Sequence, residues 1–415
     1  MKKFFYLPII MGALSLTACS DDDNEKNDDI YKDRTYGIEA MDACDEVVKT
    51  LTSANQLIVT ADFTTESGQQ QETFLRQVLI DLVDKVIVPT YTQLADDVES
   101  LEATLHGLTA STITQAQIDK ACSDFKKARQ HWERSEAFLM GAASDFSIDP
   151  TIDSWPLDRQ ELLDYFKGGM KAQIEEESSI LGFHALEFIL FRNGQNRKVA
   201  ELQGNDTYTG FQNVSGADEL KYAQQVCTLL KERCFQLQIA WEGENNSNRV
   251  AVVQAAGLNY LTENGLSYGD NLKEAGVNSL STFSTIQDAI SQVLSDTEGS
   301  CVGIANEVGT AKIANPFSAG DIAYVESPYS YNSITDFQDN IRSIRNIWMG
   351  SLDGSKATNS FAKFFELVNR QTGVESAVQN AIDKIGRMPA PFVKYCSMVW
   401  GKDFDDPENW ESETE

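Results

Sequence analysis

Positive charge is scarce in this chain. Lysine and arginine number 34 against 63 aspartates and glutamates in 415 residues, a formal charge of −29. Phosphate binding needs a basic surface, so a nucleic-acid partner is excluded. An acidic field suits cationic partners or metal ions, and equally serves a secreted protein as a solubility device. A Cys-x-x-Cys pair is also absent, while disulfides between distant helices stay open. Apart from Cys19, the cysteines Cys44, Cys122, Cys227, Cys234, Cys301 and Cys396 are widely spread and form no Cys-x-x-Cys. A thiolate zinc site or redox motif is therefore not signalled, and these residues read as small buried hydrophobes. Histidine occurs three times, at 106, 131 and 184, and His-Glu-x-x-His does not occur. A zinc peptidase would need about three protein ligands, an open position for water and a general base.

Strand-like alternation is missing too, whereas helical periodicity runs from Tyr36 onward, so the fold class is all-α. The pattern predicts helices over 38–63, 71–108 (with Pro89 kinking or splitting it), 114–140, 161–166 and 175–191. In the second half it predicts helices over 221–242, 248–262, 283–310, 361–371, 374–385 and 390–400, and one beginning near Asp336 capped by Ser333 or Thr335. The stretches 266–280 and 315–333 read as irregular. With 42% hydrophobic residues the chain can build two medium domains, placed at 36–205 and 206–415.

The N-terminus has Lys2, Lys3 and an apolar run from Phe4 to Leu16, which is a signal peptide over 1–18 and not a membrane span. Leu16-Thr17-Ala18-Cys19 resembles the lipobox of bacterial lipoproteins, which implies acylation of Cys19. Ser20-Asp21-Asp22-Asp23 is similar to the acidic export signal of surface-displayed Bacteroidetes lipoproteins. That likeness implies an outer-membrane protein facing outward, with a periplasmic orientation as the alternative. Residues 19–35 are polar and acid-rich, and read as a flexible tether.

The most informative stretch is Gly182-Phe183-His184-Ala185-Leu186-Glu187-Phe188-Ile189-Leu190-Phe191, which carries two polar residues among bulky apolar ones. Spaced three apart on a helix, His184 and Glu187 share a face, so an imidazole and a carboxylate can converge on one ion, ligand or proton. Gly-x-His-x-x-Glu followed by Phe-Ile-Leu-Phe resembles the signature of the imelysin-like proteins, a bacterial family once classed as metallopeptidases. Other blocks extend the likeness over most of the chain. Arg129, Trp132, Ser135, Glu136 and Phe138 map onto an Arg-x-x-aromatic-x-x-[Ser/Thr]-Glu-Ala-aromatic pattern. Trp155-Pro156-Leu157-Asp158 matches a loop block, and Ser330, Asn332, Asp336, Arg345 and Asn346 match a second-domain block. The family implies two related helical bundles meeting at an interface, and a short likeness between Asp124-Phe125 and Asp336-Phe337 accompanies that duplication.

The resemblance implies a lipid-anchored binding protein of iron uptake. His184 and Glu187 are then the metal ligands or anchors, and Arg129 and Arg345 hold anionic parts. Trp155 walls the pocket, with Trp132, Glu136, Asp158, Ser330, Asn332 and Asp336 completing it. The expected partner is iron or an iron-containing small ligand, with an outer-membrane transporter downstream. Oxygen-rich donors suit iron, manganese or calcium better than peptidase zinc. Two alternatives stand beside this reading: a metallopeptidase using His184 and Glu187, and a buried polar network that only locks two domains together.

Overall fold

The computed structural model describes residues 29–170, 174, 179–295 and 299–412. The expected signal peptide, Cys19 and residues 175–178 lie outside that set. Among the described residues the fold is all-α, apart from a hairpin pairing Phe191–Arg192 with Gln195–Asn196. Of the expected tether, residues 19–28 lie outside the described set. Asp29–Lys32 is already a helical turn, fixed by Tyr31, whose hydroxyl donates to the Ala390 carbonyl oxygen at 2.6 Å.

The first long helix, Thr35–Val59, buries Ala40, Ala43, Cys44, Val47, Leu51, Ala54 and Ile58, a stripe of three- and four-residue steps. It packs on Val374–Ile385, Cys301–Glu307 and Ile286–Ser295 from the far end of the chain. Helix Gly216–Glu242 packs in the opposite sense, onto Val88–His106 and Gly182–Leu190. The packing thus runs across position 205 in both directions, within one large buried apolar cluster. The six cysteines from Cys44 onward are free and buried.

Several helices depart from their expected ends for identifiable reasons. The second begins at Glu66, where Thr65 caps it by accepting from the Gly68 amide at 3.1 Å. It does not break at Pro89: a widened π-turn, Val83–Ile87, precedes Val88–His106 and absorbs the amide donor that proline lacks. The third stops at Glu133 instead of 140. There the Ser135 hydroxyl donates to the Trp132 carbonyl oxygen at 2.7 Å and the Ala137 amide donates to Ser343 Oγ at 3.0 Å, so tertiary partners replace helical ones. Residues 136–138 tighten into a 3₁₀ turn. The long 283–310 helix is two pieces, Ile286–Ser295 and Cys301–Glu307, extended by a π-turn at Val308–Ile313. The stretches 266–280 and 315–333 hold short helical turns at Tyr268–Lys273, Asn315–Ala319 and Ile322–Tyr324. Helix Ser333–Met349 has Asn332 at its N-cap, and neither Ser333 nor Thr335 caps it. The Ser333 hydroxyl turns back to the Glu326 carbonyl oxygen.

The orientation of the first helix is open to a direct test. Leu51 is fully buried, whereas Leu57 is 44% exposed. Leu51→Ala should lower the unfolding free energy by about 2–5 kcal/mol. Leu57→Ala should stay within about 0.5 kcal/mol, both read by urea denaturation.

Candidate functional site

The site is assembled from the backbone outward. Gly182 opens its helix at φ +73°, and a Cβ placed there would lie 2.0 Å from the Ile152 carbonyl oxygen. Only glycine lets the 149–153 turn close on the helix start at that conformation. The approach sets the Asp153 carboxylate 3.1 Å from His184 Nε2. One turn further on, Glu187 lies on the same face, as the spacing required. Its Oε1 accepts from the Ser330 amide at 2.7 Å and the Ser330 hydroxyl at 2.6 Å. Its Oε2 is buried without a hydrogen-bond partner among the described residues, 3.9 Å from His184 Nδ1.

Arg129 stands at the centre of these groups, with its side chain 2% exposed. It pairs with Asp153, with Glu326 at 2.6 Å and with Glu133 at 2.6 Å, and Asp336 lies 3.9 Å away. The Arg129 Nε and Glu133 Oε1 atoms are close but poorly aligned for a hydrogen bond, so that attraction is Coulombic. Trp132 Nε1 donates to Asp153 Oδ2 at 2.9 Å. Lys312 reaches Glu326 at 2.9 Å and Glu307 at 3.7 Å. Ser327 donates to Asp336 at 2.5 Å, and Asn332 donates to the same carboxylate.

A cavity of about 500 Å³ opens beside this cluster, walled by Glu136, Asp149, Asp153, Trp155, Glu307 and Lys312. Trp155 packs on Tyr324 with ring centroids 4.0 Å apart, and the Lys312 ammonium lies 5.3 Å from the Trp155 ring.

Burial sets the protonation of the site. It pushes the Glu133 and Glu136 carboxyls well above the usual range and raises Asp149 and Asp336 to about 7. Neighbouring Asp153 and Glu307 add to the rise at Asp149. Burial acts on Asp153 as well, but Arg129 and His184 overcome it and hold that carboxyl well below its ordinary value. The same ion pair raises His184 against its own desolvation.

The structure therefore brings together Arg129, Trp132, Glu136, Trp155, His184, Glu187, Ser330, Asn332 and Asp336. It leaves two candidates outside. Asp158 is exposed and caps helix Arg159–Lys167 by accepting from the Glu161 amide at 2.7 Å. Arg345 is half-buried against Gly354, and its neighbouring charges are Arg342, Arg134, Asp339 and Asp353. Sequence reasoning passed over Glu133, Asp153, Glu326, Asp149, Glu307 and Lys312. Glu133 follows Arg129 by one helical turn and Asp153 precedes Trp155 by two residues, which were the available signals. In so acidic a chain neither stands out.

Among the described residues, three overlapping groups offer ligand atoms within 4.8 Å of one another: Asp153, His184 and Glu326; Glu133, Glu136 and Asp153; Glu133, Glu326 and Asp336. Glu187 joins none of them. The donors are hard carboxylate oxygens with a single imidazole, a set that fits iron, manganese or calcium.

A family model described as imelysin matches residues 87–406. This chain belongs to the imelysin family. The motif resemblance and the all-α expectation are both borne out. Iron-regulated protein A of Synechococcus elongatus is 35% identical over 125 residues, 30% of this chain and 34% of that protein. The chain thus spans about a third of the length of this relative. A solved structure from Parabacteroides distasonis, described as an iron-regulated protein A precursor, superposes with TM-score 0.58 at 22% identity. The match covers 80% of this chain and 95% of that one, and it shows the shared fold. An imelysin-like protein from Psychrobacter arcticus aligns over 80% of this chain and 96% of its own, at TM-score 0.44 and 11% identity.

Two outcomes follow for this imelysin-family site. Gly182→Ala should destabilise the protein by more than about 1 kcal/mol, since it combines a clash with a left-handed backbone; thermal and urea melts would measure this. The second concerns pH. His184, Asp149 and Asp336 all have folded values above their ordinary ones, so the stability they give is present at low pH and lost as pH rises through the folded values. For the two aspartates the window runs from an ordinary 3.8 to about 7. Chelator-treated protein should lose melting temperature across that window, and Asp149→Asn should flatten the slope. A melting temperature that rises with pH there would contradict the assignment.

Proposed function

We propose that this imelysin-family protein binds an iron ion, or a divalent cation of similar hardness, at the acidic floor of the cavity. Glu133, Glu136 and Asp153 would supply the oxygen donors, and His184 would orient Asp153 from behind. The observation that carries the reading is a local excess of buried carboxylates. Glu133, Glu136, Glu187, Glu326 and Asp336 are buried, the Asp153 side chain is 7% exposed, and half-buried Asp149 and Glu307 complete the wall; together they surround two cations, Arg129 and Lys312, with His184 as a third when protonated. Unpaired carboxylates taken out of water must bind a proton or a cation. The protons that burial now retains on Glu133 and Glu136 are the ones a multivalent ion would displace. When bound, the ion would supply fixed positive charge to the cavity floor.

The choice of iron, implied by the family resemblance, is supported by the name of the relative in Synechococcus elongatus, an iron-regulated protein. The expected pairing of His184 with Glu187 as two direct ligands has less support. Glu187 Oε1 is engaged by Ser330, and the groups that can share an ion draw on His184 together with Asp153 and Glu326. Glu187 holds the 327–331 loop instead, leaving Oε2 for a ligand hydrogen bond. The peptidase alternative also has less support, since one imidazole among carboxylates is a poor zinc set. Acylation at Cys19 would fix the protein to the outer membrane, where cargo could pass to a transporter; both are parts of the proposal.

The test is metal analysis of purified protein with a ferrous titration, in wild type, Glu136→Gln, Asp153→Asn and the exposed control Asp158→Asn. Wild type and control should bind one equivalent, and the first two variants should bind at least about tenfold more weakly with helical content unchanged. Absence of binding in wild type, or equal binding in all four, would refute the proposal.

A further inference from the structure

A second cavity, of about 420 Å³, lies on the opposite side of the loop that carries Ser330. Ser330 turns inward to Glu187, while its neighbours Tyr329 and Tyr331 line this outer cleft. The cleft contains none of the acidic groups assigned above.

Its most unusual feature is Tyr331, a bulky residue at φ +61° with its side chain 39% exposed. Side chains of this size rarely adopt that backbone conformation, and they do so where surrounding structure enforces it. The ring lies over Gly194, where a Cβ would sit 2.3 Å from it. Asn193, also in the cleft wall, has φ +50°, and the Gly194 amide donates to the Tyr329 carbonyl oxygen at 2.9 Å. The hairpin tip and the loop are thus built to present an aromatic face to solvent. Tyr31 forms a second aromatic wall, with the Lys394 ammonium 4.3 Å from its ring.

The polar groups around these rings indicate the ligand class. Arg192 is neutralised by Asp206 at 2.7 Å and its guanidinium packs 3.9 Å from the Phe188 ring centre, so it adds no free charge to the cleft. Lys394, Asp403 and Asp405 line the cleft together, with Lys394 and Asp405 both near Tyr331, so opposite charges are mixed there. Aromatic rings, one ammonium donor and two carboxylate acceptors suit a neutral ring bearing hydroxyls: its C–H faces pack on the rings and its hydroxyls both donate and accept. The volume is within the ordinary range for small-ligand cavities.

We propose that this cleft is a carbohydrate-binding site that takes a pyranose ring between Tyr31 and Tyr331, with its hydroxyls bonded to Lys394 and Asp405. It is independent of the metal site in its residues.

Saturation-transfer NMR on the purified full-length chain would test it, with glucose, galactose and N-acetylglucosamine as neutral-ring probes and 2,3-dihydroxybenzoate as a planar aromatic anion. At least one sugar should receive transfer at its ring protons. Tyr331→Ala and Asp405→Asn should each weaken that binding by at least about tenfold, and Glu136→Gln should leave it unchanged. Lys394 is exposed, so Lys394→Ala provides a variant whose folding is not at risk, and it should weaken the same sugar. No transfer to any sugar, equal transfer in the folded variants, or transfer to dihydroxybenzoate alone would overturn the proposal.

Discussion

A guanidinium withdrawn from water must be surrounded by acceptors, and Arg129 is withdrawn almost completely. The cost of desolvating it is several kcal/mol unless carboxylates close around it. Those carboxylates come from separate parts of the chain: Glu133 from the same helix, Asp153 from the turn beneath Gly182, Glu326 from an irregular loop and Asp336 from helix Ser333–Met349. Each is itself buried and depends on Arg129 in return. The arginine therefore ties chain segments about 200 residues apart to one point, and the removal of any partner leaves an uncompensated charge inside the protein.

The balance at that point is not even. Arg129 can satisfy only part of the acid placed around it, and Lys312 takes up another part from the cavity side. Burial pushes the others toward the protonated form, well above the usual range at Glu136 and to about 7 at Asp149. A network that served only to join two halves would be more stable with fewer carboxylates, because each one lacking a cation carries a desolvation cost with no ion-pair gain. This excess, beside a cavity, is what favours the proposed binding site over a structural lock. A single loop also joins two features of the molecule: residues 327–331 hold Glu187 through Ser330 and expose tyrosines on the other side.

Much of the fold was legible because helical periodicity is strong and local. The stripe on Thr35–Val59, the helix after Asp158 and the 374–385 helix follow directly from apolar spacing. The ends were less legible. Helix 115–133 stops where Ser135 and Ala137 find tertiary partners, and Pro89 sits in a continuous helix because a π-turn accommodates it, neither of which is encoded in spacing.

The sequence by itself determined the all-α class, the family, and the common face of His184 and Glu187, since all three depend on residue type and short-range spacing. It also marked Arg129, Trp132, Glu136, Trp155 and Asp336 through their motif blocks. Tertiary structure alone decided that Asp153 and not Asp158 meets His184, that Glu133, Glu326 and Lys312 share the site, and that Arg345 stands apart. In a chain with 63 acidic residues, composition cannot distinguish a solvated carboxylate from one in the interior. Only the three-dimensional packing sets its burial, and burial determines whether such a group is inert at the surface or bound to a proton, an arginine or a cation.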